Sequence, residues 1–110
     1  MGALLKTCQV VAGVESTLTW VPDEFLLAQE VAPWMGLPLW IPAADEMAPG
    51  FSRINCDRAF AAGLTCRPVA ETVRDTLAWA QTRPSDHAWR AGIAAEKETA
   101  VLQAWHAAGE

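Results

Sequence analysis

The sequence predicts an α+β fold that is mostly helical, a small domain of about four helices with two or three short strands. The chain has 110 residues, about the size of one domain. Hydrophobic residues make up 52% and charged residues 19%, which is enough apolar material to offset the entropy of ordering. Apolar residues recur at helical spacing, whereas β-branched and aromatic runs are few and short. We therefore expect one domain over residues 1–110.

The first predicted elements are a helix and a strand. Residues 3–12 predict a helix that ends at Gly13, because glycine is favoured just past a helix C-terminus. This helix begins at Met1 without an N-cap residue, as expected if the chain before it were missing. Residues 17–21 (TLTWV) are β-branched and aromatic, which favours a short strand.

A second helix and an irregular segment follow. The helix is predicted over 22–30, with Asp23 in its first turn, where the helix dipole favours a carboxylate. Residues 32–50, here named the proline-rich segment, contain four prolines and are expected to be irregular but packed. Its two tryptophans, Trp34 and Trp40, either line an apolar pocket or interface or plug the core.

The second half of the chain predicts five elements. They are a strand over 51–55, a short helix over 57–62 that ends at Gly63, a turn or extended piece over 65–68, a long helix over 68–82 and a last helix over 95–108. The long helix carries its apolar residues at helical spacing: Val69, Val73, Thr76, Leu77 and Ala80. The last helix follows a weak cap, Ala94, and is expected to place four residues on one face: Val101, Leu102, Trp105 and Ala108. A loop is expected over 84–92.

Charge and hydropathy exclude several classes of protein. The formal net charge is −5 and the pI is about 4.9, which argues against a nucleic-acid partner because phosphate binding needs a basic face. Apolar stretches are broken well short of the ~20 residues that a bilayer requires. The N-terminus has no clean signal-peptide pattern. We therefore expect a cytoplasmic protein without a membrane partner.

The inventory of chemical motifs is mostly negative. The seven glycines are too widely spaced for a nucleotide-binding turn, so no cofactor site is expected within this chain. The three cysteines and two histidines are not at metal-ligand spacing, and the cysteines are expected to pack in the core. No nucleophile, base and orienting group form a catalytic pattern. The chain contains no tyrosine, which excludes a mechanism that needs a tyrosine hydroxyl from this chain.

The stretch FSRINCDRAFAAGLTCRPVAETVRDTLAWAQTRP (51–84) resembles the C-terminal end of extended short-chain dehydrogenase/reductases, the NAD-dependent epimerase/dehydratase family. The shared features are a short strand, a small helix ending in AGL, an Arg-Pro step and a helix of the ETVRDTLAW type. The stretches 18–42 and 92–107 resemble a bacterial branch of the same family. The resemblance therefore covers nearly the whole chain.

The resemblance implies a substrate-binding domain that closes over the substrate of an NAD(P)-dependent epimerase or reductase. Enzymes of the family carry the glycine motif and a Tyr-x-x-x-Lys pair on a Rossmann domain, and this chain has neither. The resemblance thus implies no catalysis by the chain alone, with NAD(P) held by a parent or partner enzyme. It also implies four substrate-facing positions: Trp34, Leu39, Trp40 and Arg53.

A second hypothesis is a free-standing module for protein interaction, dimerisation or small-molecule binding that derives from such a domain. A domain separated from its partner exposes the apolar surface that it would otherwise bury. The expected partners are accordingly a second copy of the chain, a separately encoded Rossmann-domain chain, or a small-molecule ligand. Dimerisation would use the proline-rich segment or the first helix.

Overall fold

A computed structural model describes residues 1–51 and 53–109. Five α-helices form within these residues, in the order Gly2–Ala12 (α1), Asp23–Ala28 (α2), Asp57–Ala61 (α3), Val69–Gln81 (α4) and Ala95–Ala107 (α5). The helices predicted from the sequence are confirmed at these places. Gly13 ends α1 in the left-handed conformation, at a φ of 65°, with its N–H bonded to the carbonyls of Gln9 and Val10. None of these helices has the length and hydrophobicity needed to cross a bilayer.

The predicted α+β class is wrong, because the described part of the chain contains no strand and is all-α. Residues 17–21 are irregular, and Trp20 in this run is 63% exposed. In the second predicted strand, Phe51 lies in a turn, 53–55 are unpaired with any strand, and Ser52 lies outside the described residues. β-Branched and aromatic residues favour a strand only where a neighbouring strand can accept the ladder bonds. The β-type pairing found here is an isolated parallel bridge between Pro33 and Leu37.

The chain forms two compact units, each built from two separate stretches. The first unit comprises residues 1–18 and 55–87 and contains α1, α3 and α4. The second comprises 19–54 and 88–110 and contains α2 and α5. The prediction of a single domain over the whole chain stays a prediction.

The first unit is organised by the packing of α1 against α4. The face of α4 that is shielded from solvent consists of four half-buried residues: Ala70, Val73, Leu77 and Ala80. The prediction of the apolar face is therefore confirmed at Val73, Leu77 and Ala80. It is wrong at Val69 and Thr76, which are exposed. No described residue of this unit is fully buried.

The Arg-Pro step before α4 fixes where that helix begins. Pro68 occupies the N-cap position with a φ of −54°. Arg67 reaches across the first turns of the helix, where its Nε donates to Thr72 Oγ1 at 2.9 Å and its Nη1 meets Asp75 Oδ2 at 2.6 Å. Both partners of this ion pair are at least half exposed, so it contributes little to stability.

The second unit has a small apolar core made of Leu26, Val31 and Val101. Five half-buried residues pack against that core: Val21, Phe25, Leu37, Trp40 and Ile93. The ring of Phe25 meets the ring of Trp105 edge to face, with 5.0 Å between centroids. Of the predicted face of α5, Val101 is buried, Leu102 and Trp105 are half-buried and Ala108 is exposed. Ala94 precedes α5 without a side-chain cap, as predicted.

Candidate functional site

The proline-rich segment is tied to the start of α2 by the carboxylate of Asp23. One oxygen, Oδ1, accepts a hydrogen bond from Nε1 of Trp40 at 2.9 Å. The other, Oδ2, accepts a hydrogen bond from the backbone N–H of Ala43 at 2.8 Å. Both carboxylate oxygens of one side chain therefore hold the segment at two points.

These hydrogen bonds keep Asp23 ionised. The backbone N–H of Ala43, and after it the indole of Trp40, lowers the pKa of the carboxyl below its ordinary value of 3.8. Desolvation acts in the opposite direction but does not outweigh the two donors. The charge of Asp23 strengthens both bonds, because charge-assisted hydrogen bonds are stronger than neutral ones.

Trp40 joins this anchor to the core of the unit and to the rest of the segment. Its half-buried indole packs against the core, while its backbone carbonyl accepts a hydrogen bond from the N–H of Trp34 at 2.9 Å. Gly36 closes the turn that contains Trp34, with its N–H donating to the carbonyl of Ala32 at 2.8 Å. The loop before α5 also bonds to the segment, since the N–H of Gly92 donates to the carbonyl of Met35 at 2.8 Å.

Two residues of this segment have a backbone conformation that side chains rarely adopt. Trp34 has a φ of 62° and Leu39 a φ of 67°. A left-handed conformation is unfavourable by about 1 to 2 kcal/mol for a residue with a Cβ. Such residues persist where the surrounding structure determines their conformation, and they are concentrated at binding and catalytic sites. For Trp34, the hydrogen bond from its N–H to the carbonyl of Trp40 contributes to this determination.

The segment displays apolar side chains to solvent. Trp34 is 47% exposed and Leu39 48%, and Met35 between them is 52% exposed. The ring of Trp34 meets the ring of Phe51 edge to face, with 5.7 Å between centroids and 87° between planes. We name the four residues Trp34, Met35, Leu39 and Phe51 the apolar display.

The four positions predicted to face a substrate differ in what they do. Trp34 and Leu39 belong to the apolar display. Trp40 does not, because its half-buried indole packs against the core and donates its N–H to Asp23. Arg53 is exposed, and its backbone N–H donates to the carbonyl of Gly50 at 2.8 Å. The structure thus brings the backbones of Trp34 and Trp40 together directly. Substrate binding by the four residues stays a prediction.

Sequence reasoning missed three residues of this region. Asp23 was predicted to complement the helix dipole, and its role as an anchor of a segment 17 residues away was not predicted. The signal for it was weak: a partly buried tryptophan needs an acceptor for its indole N–H, but the sequence does not say which. Nothing in the spacing of Met35 or Phe51 distinguishes them from core residues.

The other reactive side chains are dispersed. Cys8 is half-buried, whereas Cys56 and Cys66 are exposed, so the prediction that the cysteines pack in the core is wrong for these two. Both histidines are exposed as well. In the described part of the chain, no three His, Cys, Asp or Glu side chains gather in a way that could hold a metal ion.

The described residues do not form the strand, glycine-rich turn and helix of a Rossmann-type nucleotide site. A dinucleotide-binding site needs a strand that leads through a glycine-rich turn into a helix, so that backbone N–H groups can approach the pyrophosphate. Here the two long helices after α1 follow Pro68 and Ala94, and no strand precedes either of them.

Comparisons of the chain with protein-family models, with curated proteins and with solved structures give no match.

Proposed function

We propose that this chain is the substrate-binding part of an NAD(P)-dependent epimerase or reductase and works with a nucleotide-binding domain outside these 110 residues. The proposal takes its reaction class from the resemblance of residues 51–84 to the C-terminal end of the epimerase/dehydratase family. The single observation that supports a binding role is the apolar display, in which Trp34 and Leu39 have left-handed backbones and which lies in the segment that Asp23 anchors at Trp40 and Ala43. In this account the display contacts the substrate and the partner domain holds the cofactor.

The amount of exposed surface supports the need for a further domain. The accessible surface of the chain is 8913 Å². A compact monomer of 11.9 kDa exposes about 5,900 Å², and two separate globules of half that mass together expose about 7,200 Å². Large hydrophobic side chains are exposed in both units, among them Val10 in the first and Trp20 in the second. Coverage by another domain would remove much of this apolar surface from water.

The proposal is tested by the coding sequence next to this chain and by the protein that the two encode together. We expect a neighbouring coding stretch with the glycine-rich turn and the Tyr-x-x-x-Lys pair, and a combined protein that binds NADH or NADPH. In hydrogen exchange, residues 33–51 should become more protected in the combined protein than in the chain alone. A neighbourhood without such a coding stretch, or a combined protein without cofactor binding, would contradict the proposal.

A second candidate function, favoured by the same excess surface, is a module that binds another protein or a second copy of itself. Sedimentation velocity over a concentration series separates the two candidates. A dimer that is lost in Trp34→Ala but kept in Trp20→Ala would favour the interaction module, since Trp20 is more exposed than Trp34 but lies outside the proline-rich segment. A monomer at all concentrations would count against it.

A further inference from the structure

The first unit carries an open depression of about 530 Å³ between α1 and α4. This volume lies within the range of small-molecule sites. Six residues line it: Lys6, Thr7, Val10, Val11, Ala70 and Arg74. The depression lies within the first unit, whereas the apolar display belongs to the second.

Each of the two helices contributes one cation to the lining, and apolar side chains come from both: Val10 and Val11 from α1 and Ala70 from α4. On α1, Lys6 and Val10 are one helical turn apart, and on α4 the same spacing separates Ala70 from Arg74. Val10 is 81% exposed, although its side chain is wholly apolar. The site therefore combines positive charge with an apolar wall.

The two cations are available to a ligand. In the described part of the chain, neither Lys6 nor Arg74 enters an ion pair or a side-chain hydrogen bond. No carboxylate lines the depression, and Asp75, next to Arg74, is already paired with Arg67 at 2.6 Å. Two unpaired cations on one small site stand out in a chain whose net charge is −5.

We propose that this depression binds a small organic carboxylate with an apolar body. Its carboxylate would meet Arg74, which can bind it with two parallel hydrogen bonds, and Lys6, which adds a second positive charge. Its apolar body would cover Val10 and Val11. The site is too small for a protein partner, because six lining residues fall well short of the about 20 to 30 that each side of a stable interface contributes.

The test is a titration of the full 110-residue chain with octanoate, followed by ¹H–¹⁵N chemical shifts, with acetate and octylamine as matched probes. We expect octanoate to cause saturable shifts in α1 and α4. Acetate lacks the apolar body and octylamine carries the opposite charge, so both should bind more weakly. No saturable shift with octanoate, or equal binding of octylamine, would overturn the proposal, as would equal binding of acetate.

Variants separate the two parts of the site. Arg74→Gln and Lys6→Gln should each weaken octanoate binding about two- to fivefold, the effect of losing one exposed charge pair. Arg74→Lys keeps the charge but loses the two parallel hydrogen bonds, so it should weaken octanoate binding less than Arg74→Gln does. Arg58→Gln removes an exposed cation on α3 and should leave the affinity unchanged. Val10→Ser changes a side chain that is already exposed, so the variant should fold normally. It should weaken the binding of octanoate more than the binding of acetate. Equal affinity in Arg74→Gln and the unmodified chain would overturn the assignment.

Discussion

Asp23 and Trp40 are 17 residues apart in the sequence, and the indole N–H of Trp40 donates to the carboxylate of Asp23 at 2.9 Å. The same carboxylate accepts the N–H of Ala43 at 2.8 Å. Because Trp40 also packs on the core and accepts a hydrogen bond from Trp34, one charged side chain is connected through Trp40 to the backbone of the apolar display. A single substitution at Asp23 can therefore alter both of the hydrogen bonds that anchor the segment.

Replacing Asp23 should therefore loosen the second unit. Asp23→Asn retains an acceptor but loses the negative charge, and we expect the free energy of unfolding to fall by about 1 to 2 kcal/mol. Chemical denaturation measures the loss. Glu24→Gln is the matched control, because Glu24 lies in the same first turn of α2 but is exposed. Equal stability of Asp23→Asn and Glu24→Gln would show that the two hydrogen bonds contribute little.

The same anchor predicts a dependence of stability on pH. The pKa of Asp23 is lower in the folded chain than its ordinary value of 3.8, so the ionised carboxylate stabilises the folded state. This contribution is fully present above the pKa of the unfolded chain and is lost as the pH falls through the lower pKa of the folded chain. The difference in unfolding free energy between the unmodified chain and Asp23→Asn should be constant at neutral pH and shrink in acid. A difference that grows in acid would reverse the sign and contradict the assignment.

Gly36 should not tolerate a side chain. A Cβ at this position would lie 2.7 Å from the carbonyl oxygen of Ala32 and 3.0 Å from its nitrogen, and backbone atoms cannot move aside easily. We expect Gly36→Ala to lower the free energy of unfolding by about 1 to 3 kcal/mol. Gly50→Ala is the comparison, because a Cβ there meets nothing within 4 Å and is opposed by its φ of 74° alone. A Gly36→Ala chain as stable as the unmodified one would show that the turn is looser than described.

Substitution of Leu39 should affect substrate binding while changing the free energy of unfolding little. Its φ of 67° is unfavourable for leucine but not for glycine, whereas glycine adds entropy to the unfolded chain. These effects oppose each other, so Leu39→Gly should change the unfolding free energy by less than about 1 kcal/mol. It should nevertheless weaken substrate binding by the combined protein, because half of the side chain is on the surface.

Leu37→Gly provides the contrast within the same turn. Leu37 is half-buried and packs against the core, so its removal should destabilise the second unit by about 2 to 4 kcal/mol. Denaturation curves of both variants check the pair of predictions. The loss of unfolding free energy should be larger in Leu37→Gly than in Leu39→Gly. A larger loss in Leu39→Gly would mean that the wrong leucine has been assigned to the core.

The ends of the helices could be predicted from the sequence because they depend on local chemistry. Gly13 ends α1 by adopting a positive φ, and Pro68 starts α4 with a φ that is already helical. The strands could not be predicted correctly, because strand formation depends on a distant partner. The run around Trp20 has β-branched and aromatic residues but no strand beside it.

The candidate site could be predicted only as a segment. Prolines and two tryptophans indicated an irregular, apolar stretch, and its position is right. The left-handed conformation of Trp34 could not be expected, since a bulky residue disfavours it in any local context. It accompanies a hydrogen bond from the N–H of Trp34 to the carbonyl of Trp40, whose indole is bonded to Asp23. Contacts of this range leave no periodic pattern in a sequence.

The central claim is that the nucleotide chemistry lies outside these 110 residues, and calorimetric titration of the chain with NADH and NADPH tests it most directly. The account predicts no saturable heat with either cofactor up to millimolar concentrations. Stoichiometric binding of either one with a micromolar Kd would contradict it.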